Sequence, residues 1–330
     1  MKIQMMTNEM VVEKIKSSKN IALFAHRGPD PDACGSLFGL RNLCQNLGKN
    51  ADVFVVRKPE GYLNHIFPLN ETKENFSPEN YDLVIIVDCH VLNLIDPQFQ
   101  DGIVESNNVL IIDHHFVGEH EQEFLFKHDY LVQTEASCSQ LILDLFRTIN
   151  QKPTPVVAKY LYAGLIGDTS RFLHSNLSRR VFEDAICLQD CGADIQLVYD
   201  YMFRYRTKEQ IRVNKFFLDN LKFAEDGRVG YVIFSEKDIR KIGVDIEDIK
   251  HFCNEIVKIK DVEASFLCIE KSKGHYKFSL RSVGDVEVLS FCNKMGGGGH
   301  PAASGFDIDI STRQVKREIP KWAKEILRDK

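Results

Sequence analysis

The chain has 330 residues, 44% hydrophobic and 27% charged, with 42 Lys and Arg against 47 Asp and Glu for a net charge of −5. That length buries a sizeable core and predicts two domains, and the ordinary composition excludes collagen-like, disordered and small disulfide-stapled classes. A net negative chain has no global cationic field for long nucleic acid, and no apolar run reaches the roughly 18–20 residues of a membrane span.

The first 20 residues are amphipathic and charged, without a signal-peptide core. Nine cysteines, an odd number with no CxxC pair, predict free thiols in a reducing cytoplasm. Residues 21–26 (IALFAH) predict a short buried strand, followed by a polar turn and a helix from Gly35 to about Leu47. ADVFVV at 51–56 predicts a second strand. DLVIIVD at 82–88 and VLIID at 109–113 are near-continuous apolar runs that each end in aspartate, the pattern of strands buried inside a parallel sheet. Helices are expected at 136–149, 156–166 and 178–190, which makes a doubly wound α/β domain with helices on both faces.

Residues 195–223 contain no Pro or Gly and predict one long helix connecting two domains. Beyond it, strands near 229–234, 263–270, 276–282 and 306–310 alternate with helices near 246–258, 287–294 and 313–328. This is a smaller mixed α/β domain in the order β-α-β-β-α-β-α. The expected boundaries are 1–194, 195–223 for the connector, and 224–330.

The acids fall in a pattern. His26 ends the first strand, and Asp30 and Asp32 follow in a Pro-punctuated loop. Asp88 ends the strand at 82–88, Asp113, His114 and His115 end the strand at 109–113, and Asp168 follows the apolar run YLYAGLIG. In an open parallel sheet ligands bind beyond the carboxyl ends of the strands, so one rim receives them all. A single aspartate after a strand is more often a helix cap, and a lone histidine more often a satisfied polar residue. The set together is another matter, because clustered carboxylates repel unless protonated or neutralised by cations. With imidazoles beside them and no thiolate, the donors suit divalent Mn²⁺ or Mg²⁺. Two such ions about 3.5–4 Å apart activate a water and clamp a phosphoryl group. The residues read as a phosphoester hydrolase.

GGGGHPAASG at 296–305 is the second informative stretch. Four consecutive glycines are entropically costly, and an anion-binding nest of backbone N–H groups would justify them. Arg281 and Ser282 on a neighbouring strand, with His300 and Ser304, predict a nucleotide-binding face made with Gly297, Gly298 and Gly299.

At these residues the sequence resembles the DHH-family phosphoesterases of the RecJ-like superfamily. His26, Pro29, Asp30, Asp32, Ala33, Gly35 and Ser36 match the first motif, Asp88 the second, Asp113-His114-His115 the name-giving triplet and Gly167-Asp168-Thr169 the fourth. Residues 279–291 and 296–305 resemble the DHHA1 substrate-binding module. The resemblance implies that His26 and Asp30 hold one metal, that Asp32, His114 and Asp168 hold the other, and that Asp88 bridges them. It further implies that Asp113 orients His114 and that His115 sits beside the scissile phosphate, giving Asp113, His115 and Asp88 catalytic roles. His90 stands where the pattern has a small or aliphatic residue, and reads as a polar rim residue before an added ligand. Ser170 stands where glycine is common.

The resemblance implies a manganese-dependent phosphodiesterase and phosphatase of the nanoRNase type, with Mg²⁺ or Co²⁺ as alternative ions. Its expected substrates are short RNA, linear dinucleotides such as pApA, and pAp as a further candidate, with cyclic dinucleotides left open. No long duplex or membrane partner is expected, a homodimer is left open, and the location is cytoplasmic. The alternatives are a longer-range single-strand exonuclease and a non-catalytic nucleotide sensor.

Overall fold

The computed structural model describes residues 6–56, 61–115, 129–173, 176–246 and 249–328. The chain divides into two compact units, Met1–Tyr205 and Arg206–Lys330.

In the first unit, β1 (Asn20–Phe24), β2 (Asn50–Val53), β3 (Leu83–Val87), β4 (Val109–Asp113) and β5 (Asp129–Val132) form one sheet in the order β2-β1-β3-β4-β5. Every pairing is parallel. The apolar runs are continuous because both faces are covered. Ile21, Leu23, Ile85, Val87, Leu110 and Ile112 enter one core, and the alternate residues Ala22, Phe24, Val84, Ile86, Val109 and Ile111 enter the other. Helices Pro31–Asn46, Cys138–Thr148 and Pro155–Asp168 pack into the first core, and Pro97–Glu105 into the second through Phe99 and Ile103. Each fully buried aliphatic side chain contributes about 1.5–3 kcal/mol. The strand order reverses beside β1, so the carboxyl ends of β1, β3 and β4 open at a topological switch point.

The second unit is a mixed sheet in the order β10-β11-β9-β8-β7-β6, built from Lys222–Ala224 (β6), Val229–Phe234 (β7), Ala264–Ser272 (β8), His275–Ser282 (β9), Gly298–His300 (β10) and Ala303–Asp309 (β11). Only β7 and β8 pair in parallel. Phe266, Phe278 and Phe306 pack under the helix Thr312–Ile326, with Trp322 edge-on to Phe278 at 5.4 Å.

The α/β fold class holds, while several elements differ from expectation. Residues 195–223 are not one helix. Helical backbone from Ile195 continues through Arg204, Tyr205 is extended (φ −71, ψ 141), and a new helix, Lys208–Asn220, begins under a capping box of Thr207 and Gln210. That capping pair satisfies helix-start N–H groups and so favours a fresh start over continuation. Of the helix expected at 246–258, positions 247 and 248 lie outside the described residues and Phe252–Ile256 is α-helical, with a further helix at Glu236–Ile242 that the pattern does not predict. Strands β5, β6 and β10 and the helix Pro97–Glu105 were not expected from the pattern. All nine cysteines are free thiols. No described helix is long and apolar enough to cross a membrane.

Candidate metal centre

The site grows from the ends of three strands, the starts of two helices and the end of a third. After β1 the chain turns through His26 to Asp30, which is the N-cap of helix Pro31–Asn46. Its Oδ1 accepts from the backbone N–H groups of Asp32 (2.9 Å) and Ala33 (3.0 Å), and Pro31 sits at the first helical position, where its missing N–H costs nothing. The helix therefore starts four residues earlier than Gly35, and its first turn carries Asp32 inward. Asp32 is wholly buried, its two oxygens accepting from Cys138 N (2.5 Å) and Ser139 N (2.9 Å) at the start of helix Cys138–Thr148. Room for it depends on Gly164, where a Cβ would lie 2.6 Å from Asp32 Oδ1 and 2.1 Å from Ser139 Oγ.

β3 ends in a reversal at Asp88, whose φ of 55° is left-handed. The Asp88 side chain is 3% exposed, with Oδ2 3.8 Å from His26 Nε2 and Oδ1 3.3 Å from His114 Nε2. Beyond β4, His114 Nδ1 donates to the Glu135 carbonyl (3.1 Å), which leaves Nε2 facing Asp168 Oδ2 (3.1 Å), Asp88 Oδ1 and Asp32 Oδ2 (3.8 Å). Asp168 is the last residue of helix Pro155–Asp168, where the helix dipole disfavours an anion.

Three groups of donors result, each with its atoms within 4.8 Å: His26, Asp30 and Asp88; Asp32, His114 and Asp168; and Asp88, Asp113, His114 and His115. Asp88 and His114 each belong to two of them. Burial first, then the Asp168 charge, raises Asp32 to about 7. Burial and the Asp32 charge likewise hold Asp88 well above the ordinary carboxylate range. Burial opposes charge on His114, yet the Asp168, Asp88 and Asp32 carboxylates raise it to about 11. These shifts mark a cluster short of positive charge.

A divalent cation fits that deficit. Asp88 Oδ1 and His114 Nε2 are buried without a well-formed hydrogen bond, so the two converge as donors to a cation that displaces the Nε2 proton. The nearby Cys89 thiol is pushed up to about 12 by burial, and burial likewise raises Cys34 and Cys138, which leaves an oxygen and nitrogen donor set suited to hard or borderline ions.

Asp113 does not orient His114 as expected. Its Oδ1 accepts from His115 Nδ1 (2.8 Å) and from the backbone N–H groups of His114 (2.8 Å) and His115 (3.3 Å), while Oδ2 bonds His90 Nδ1. Burial would raise Asp113, but hydrogen bonds from His115 and His90 hold it well below the usual range. The tautomer of His114 is set by Glu135 instead. His90 is not a rim residue either: it is 5% exposed and lies under Asp113. Neither the Glu135 carbonyl nor the space at Gly164 carries a sequence signal, whereas the Ser137 that precedes the helix holding Asp32 is a recognisable helix-start residue.

Ser170 has a physical explanation. Helix Pro155–Asp168 closes with Ser170 N–H to Gly167 O (3.0 Å) and Arg171 N–H to Ile166 O (3.0 Å), and Ser170 takes φ 46°. This is the left-handed closing position that glycine fills most easily.

In the second unit the predicted substrate residues lie at one end of β9, β11 and β10, but not on one face. Ala303 is registered with both Arg281 and His300, which puts those two on a common face. Ser304 is registered with Leu280 and turns to the buried face, as does Ser282, whose Oγ is buried without a partner. Adjacent strand residues alternate, so Arg281 and Ser282 cannot act side by side. The glycines form no open nest. Gly298 and Gly299 belong to β10 of a tight hairpin closed by Ser304 Oγ–H to His300 O (2.7 Å), and a Cβ on Gly297 would lie 2.1 Å from Gly305 O.

Clustered Asp and His side chains at the carboxyl rim of a parallel sheet, with no competent thiol at the site, form a donor set for divalent cations of the kind metal-assisted hydrolases use. The family comparisons agree: the DHH family N-terminal domain matches residues 20–165 and the DHHA1 domain residues 227–328. The chain belongs to the DHH/DHHA1 phosphoesterases. It is 28% identical over 96% of both chains to the bifunctional oligoribonuclease and PAP phosphatase NrnA of Mycoplasma genitalium. It is 25% identical over 94% of its length to the cyclic-di-AMP phosphodiesterase GdpP of Bacillus subtilis, of which it spans 49%. An exopolyphosphatase-related protein from Bacteroides fragilis shares the fold, with a TM-score of 0.83, 21% identity, and coverage of 96% of this chain and 95% of that one.

Proposed function

We propose that the chain is a manganese-dependent phosphodiesterase and phosphatase that hydrolyses short RNA, linear dinucleotides such as pApA, and pAp to mononucleotides in the cytoplasm. The observation that carries the reading is the pair of donor groups linked through Asp88 and His114, with two orphaned buried atoms between them. His26, Asp30 and Asp88 would hold one cation, and Asp32, His114 and Asp168 the other, with Asp88 shared. Bound there, the cations would supply Lewis-acid polarisation of a phosphoryl group and a water nucleophilic at neutral pH.

The chain's own residues do the rest. Asp113 fixes Nδ1 of His115, which leaves Nε2 of a half-exposed ring to pass a proton to the leaving oxygen or to stabilise charge on it. In the second unit, Arg281 and His300 share a face that suits a terminal phosphate and its neighbouring base. We assign catalysis to the first unit and substrate holding to the second. The full-length similarity to an enzyme named for oligoribonuclease and PAP phosphatase activity supports short substrates over long ones.

The test is a hydrolysis panel of a three-nucleotide RNA, a thirty-nucleotide RNA, pApA, pAp and cyclic di-AMP, each with Mn²⁺, Mg²⁺ and Co²⁺. Mononucleotide release from the short substrates, fastest with Mn²⁺, is expected. Faster cleavage of the long strand, preference for the cyclic dinucleotide, or tight binding without turnover overturns the proposal.

A further inference from the structure

The turn that presents Asp88 to the metal centre also buries a residue with no place among the cation donors. The left-handed backbone at Asp88 reverses the chain, and two residues on His90 points into the interior beneath β4. It belongs to none of the three donor groups, yet its Nδ1 bonds Asp113 Oδ2. Asp113 is wholly buried, and its other oxygen already serves three N–H groups, two from backbone and one from the His115 ring.

We propose that His90 is a positioning residue that pins the Asp113 carboxylate from behind, and so fixes which nitrogen of His115 carries the proton and where the ring points. A carboxylate held only on Oδ1 can rotate about its Cβ–Cγ bond, and a buried Oδ2 without a donor drives it to do so. Rotation would release His115 Nδ1, and Nε2 would lose its defined role. With His90 in place, both oxygens are engaged, Nδ1 of His115 stays protonated, and Nε2 is the nitrogen presented outward. Partners of this kind, one step behind a working histidine, are typically worth ~10–100-fold when removed.

The kinetic arm of the test rests on the phosphoesterase reading; the spectroscopic arm does not. His90→Leu removes the donor, whereas His90→Asn keeps an N–H close to the position of Nδ1. His90→Leu is expected to lower kcat on pApA by ~10–100-fold, with KM and the Mn²⁺ concentration for half-activity within about twofold of wild type, and His90→Asn to restore most of the loss. Thermal melts select conditions in which both variants are folded. In ¹⁵N NMR of the intact protein, His115 should be the Nδ1–H tautomer in wild type and His90→Asn, and a mixture in His90→Leu.

Equal impairment of the two folded variants, wild-type kcat in His90→Leu, or an unchanged His115 tautomer in His90→Leu overturns the proposal. If wild type hydrolyses none of the panel, the proposed function fails, and the tautomer measurement still decides the role of His90.

Discussion

Removing the cations should make the protein's stability fall as pH rises. Asp32 binds its proton with a pKa of about 7 in the folded state against 3.8 for the free side chain, and Asp88 is raised as well. A folded-state pKa above the unfolded value means that the contribution is fully present below about pH 4 and is lost as pH climbs towards 7. His114 acts in the same direction, since its raised pKa of about 11 gives a contribution that fades above the unfolded value of 6.5. Asp113 works oppositely, but its lowered pKa confines the effect to more acid conditions.

The window from pH 5 to 7.5 therefore isolates the cluster. The whole displacement of about 3 units at 1.36 kcal/mol each is near 4 kcal/mol for Asp32, but only about two of those units fall between pH 5 and 7.5, and sharing with its neighbours leaves about 1–3 kcal/mol in that window. For a unit of this size each kcal/mol moves Tm by about 2–4 °C, so chelated protein should melt ~2–12 °C lower at pH 7.5 than at pH 5. Cations displace the protons, so saturating Mn²⁺ should erase most of that slope and raise Tm more at pH 7.5 than at pH 5. Differential scanning calorimetry with EDTA or Mn²⁺ at both pH values measures this. A flat or rising Tm in EDTA, or an equal Mn²⁺ shift at the two pH values, refutes the reasoning.

Four substitutions probe the same architecture. Asp88→Asn keeps a residue tolerant of φ 55° but removes the shared charge, so kcat on pApA should fall at least ~1,000-fold while the EDTA-treated variant melts above wild type at pH 7.5. Gly164→Ala drives a Cβ against Asp32 and Ser139, and should cost about 1–3 kcal/mol in denaturant unfolding and weaken Mn²⁺ binding in calorimetry. Unchanged affinity would mean that Asp32 is not a ligand. Ser170→Gly relieves a left-handed closing residue and should stabilise by about 0.5–1 kcal/mol with kcat unaltered. Arg281→Ala should raise KM for pApA about tenfold or more, with a smaller change in kcat; an effect on kcat alone would remove it from the binding face.

The placement of the acids was legible because a parallel sheet turns sequence into position: an aspartate after VIIV or LII can only emerge at the carboxyl rim. The partnership of Asp113 was not. His114 and His115 follow it directly, and at a strand end successive side chains diverge, so adjacency in sequence favours neither. The choice is made from outside, by a Glu135 carbonyl 21 residues away for His114 and by His90 beneath Asp113. Arg281 and Ser282 show the opposite case, since period-two alternation already separates them and only their shared polarity suggested one face. The connector reads as continuous because no Pro or Gly interrupts it, although Thr207-x-x-Gln210 already carries the capping-box spacing that marks a fresh helix start.

Space is the least legible determinant of all. Asp32 occupies a pocket between two helix backbones that approach closely because residues 35 and 164 have no side chain. A glycine within a helix costs about 1 kcal/mol relative to alanine, so each of these helices is weaker than its sequence could make it. That loss is recovered only if the carboxylate admitted by the gap has a partner stronger than a neighbouring acid. Two backbone N–H groups supply part of the compensation at Asp32, but they leave its pKa raised to about 7 beside Asp168. The remainder has to come from positive charge at the point where Asp32, His114 and Asp168 converge. As a ligand His114 is a neutral ring with Nε2 unprotonated, so the carboxylates gain no charge from it, and divalent cations are what balances the cluster.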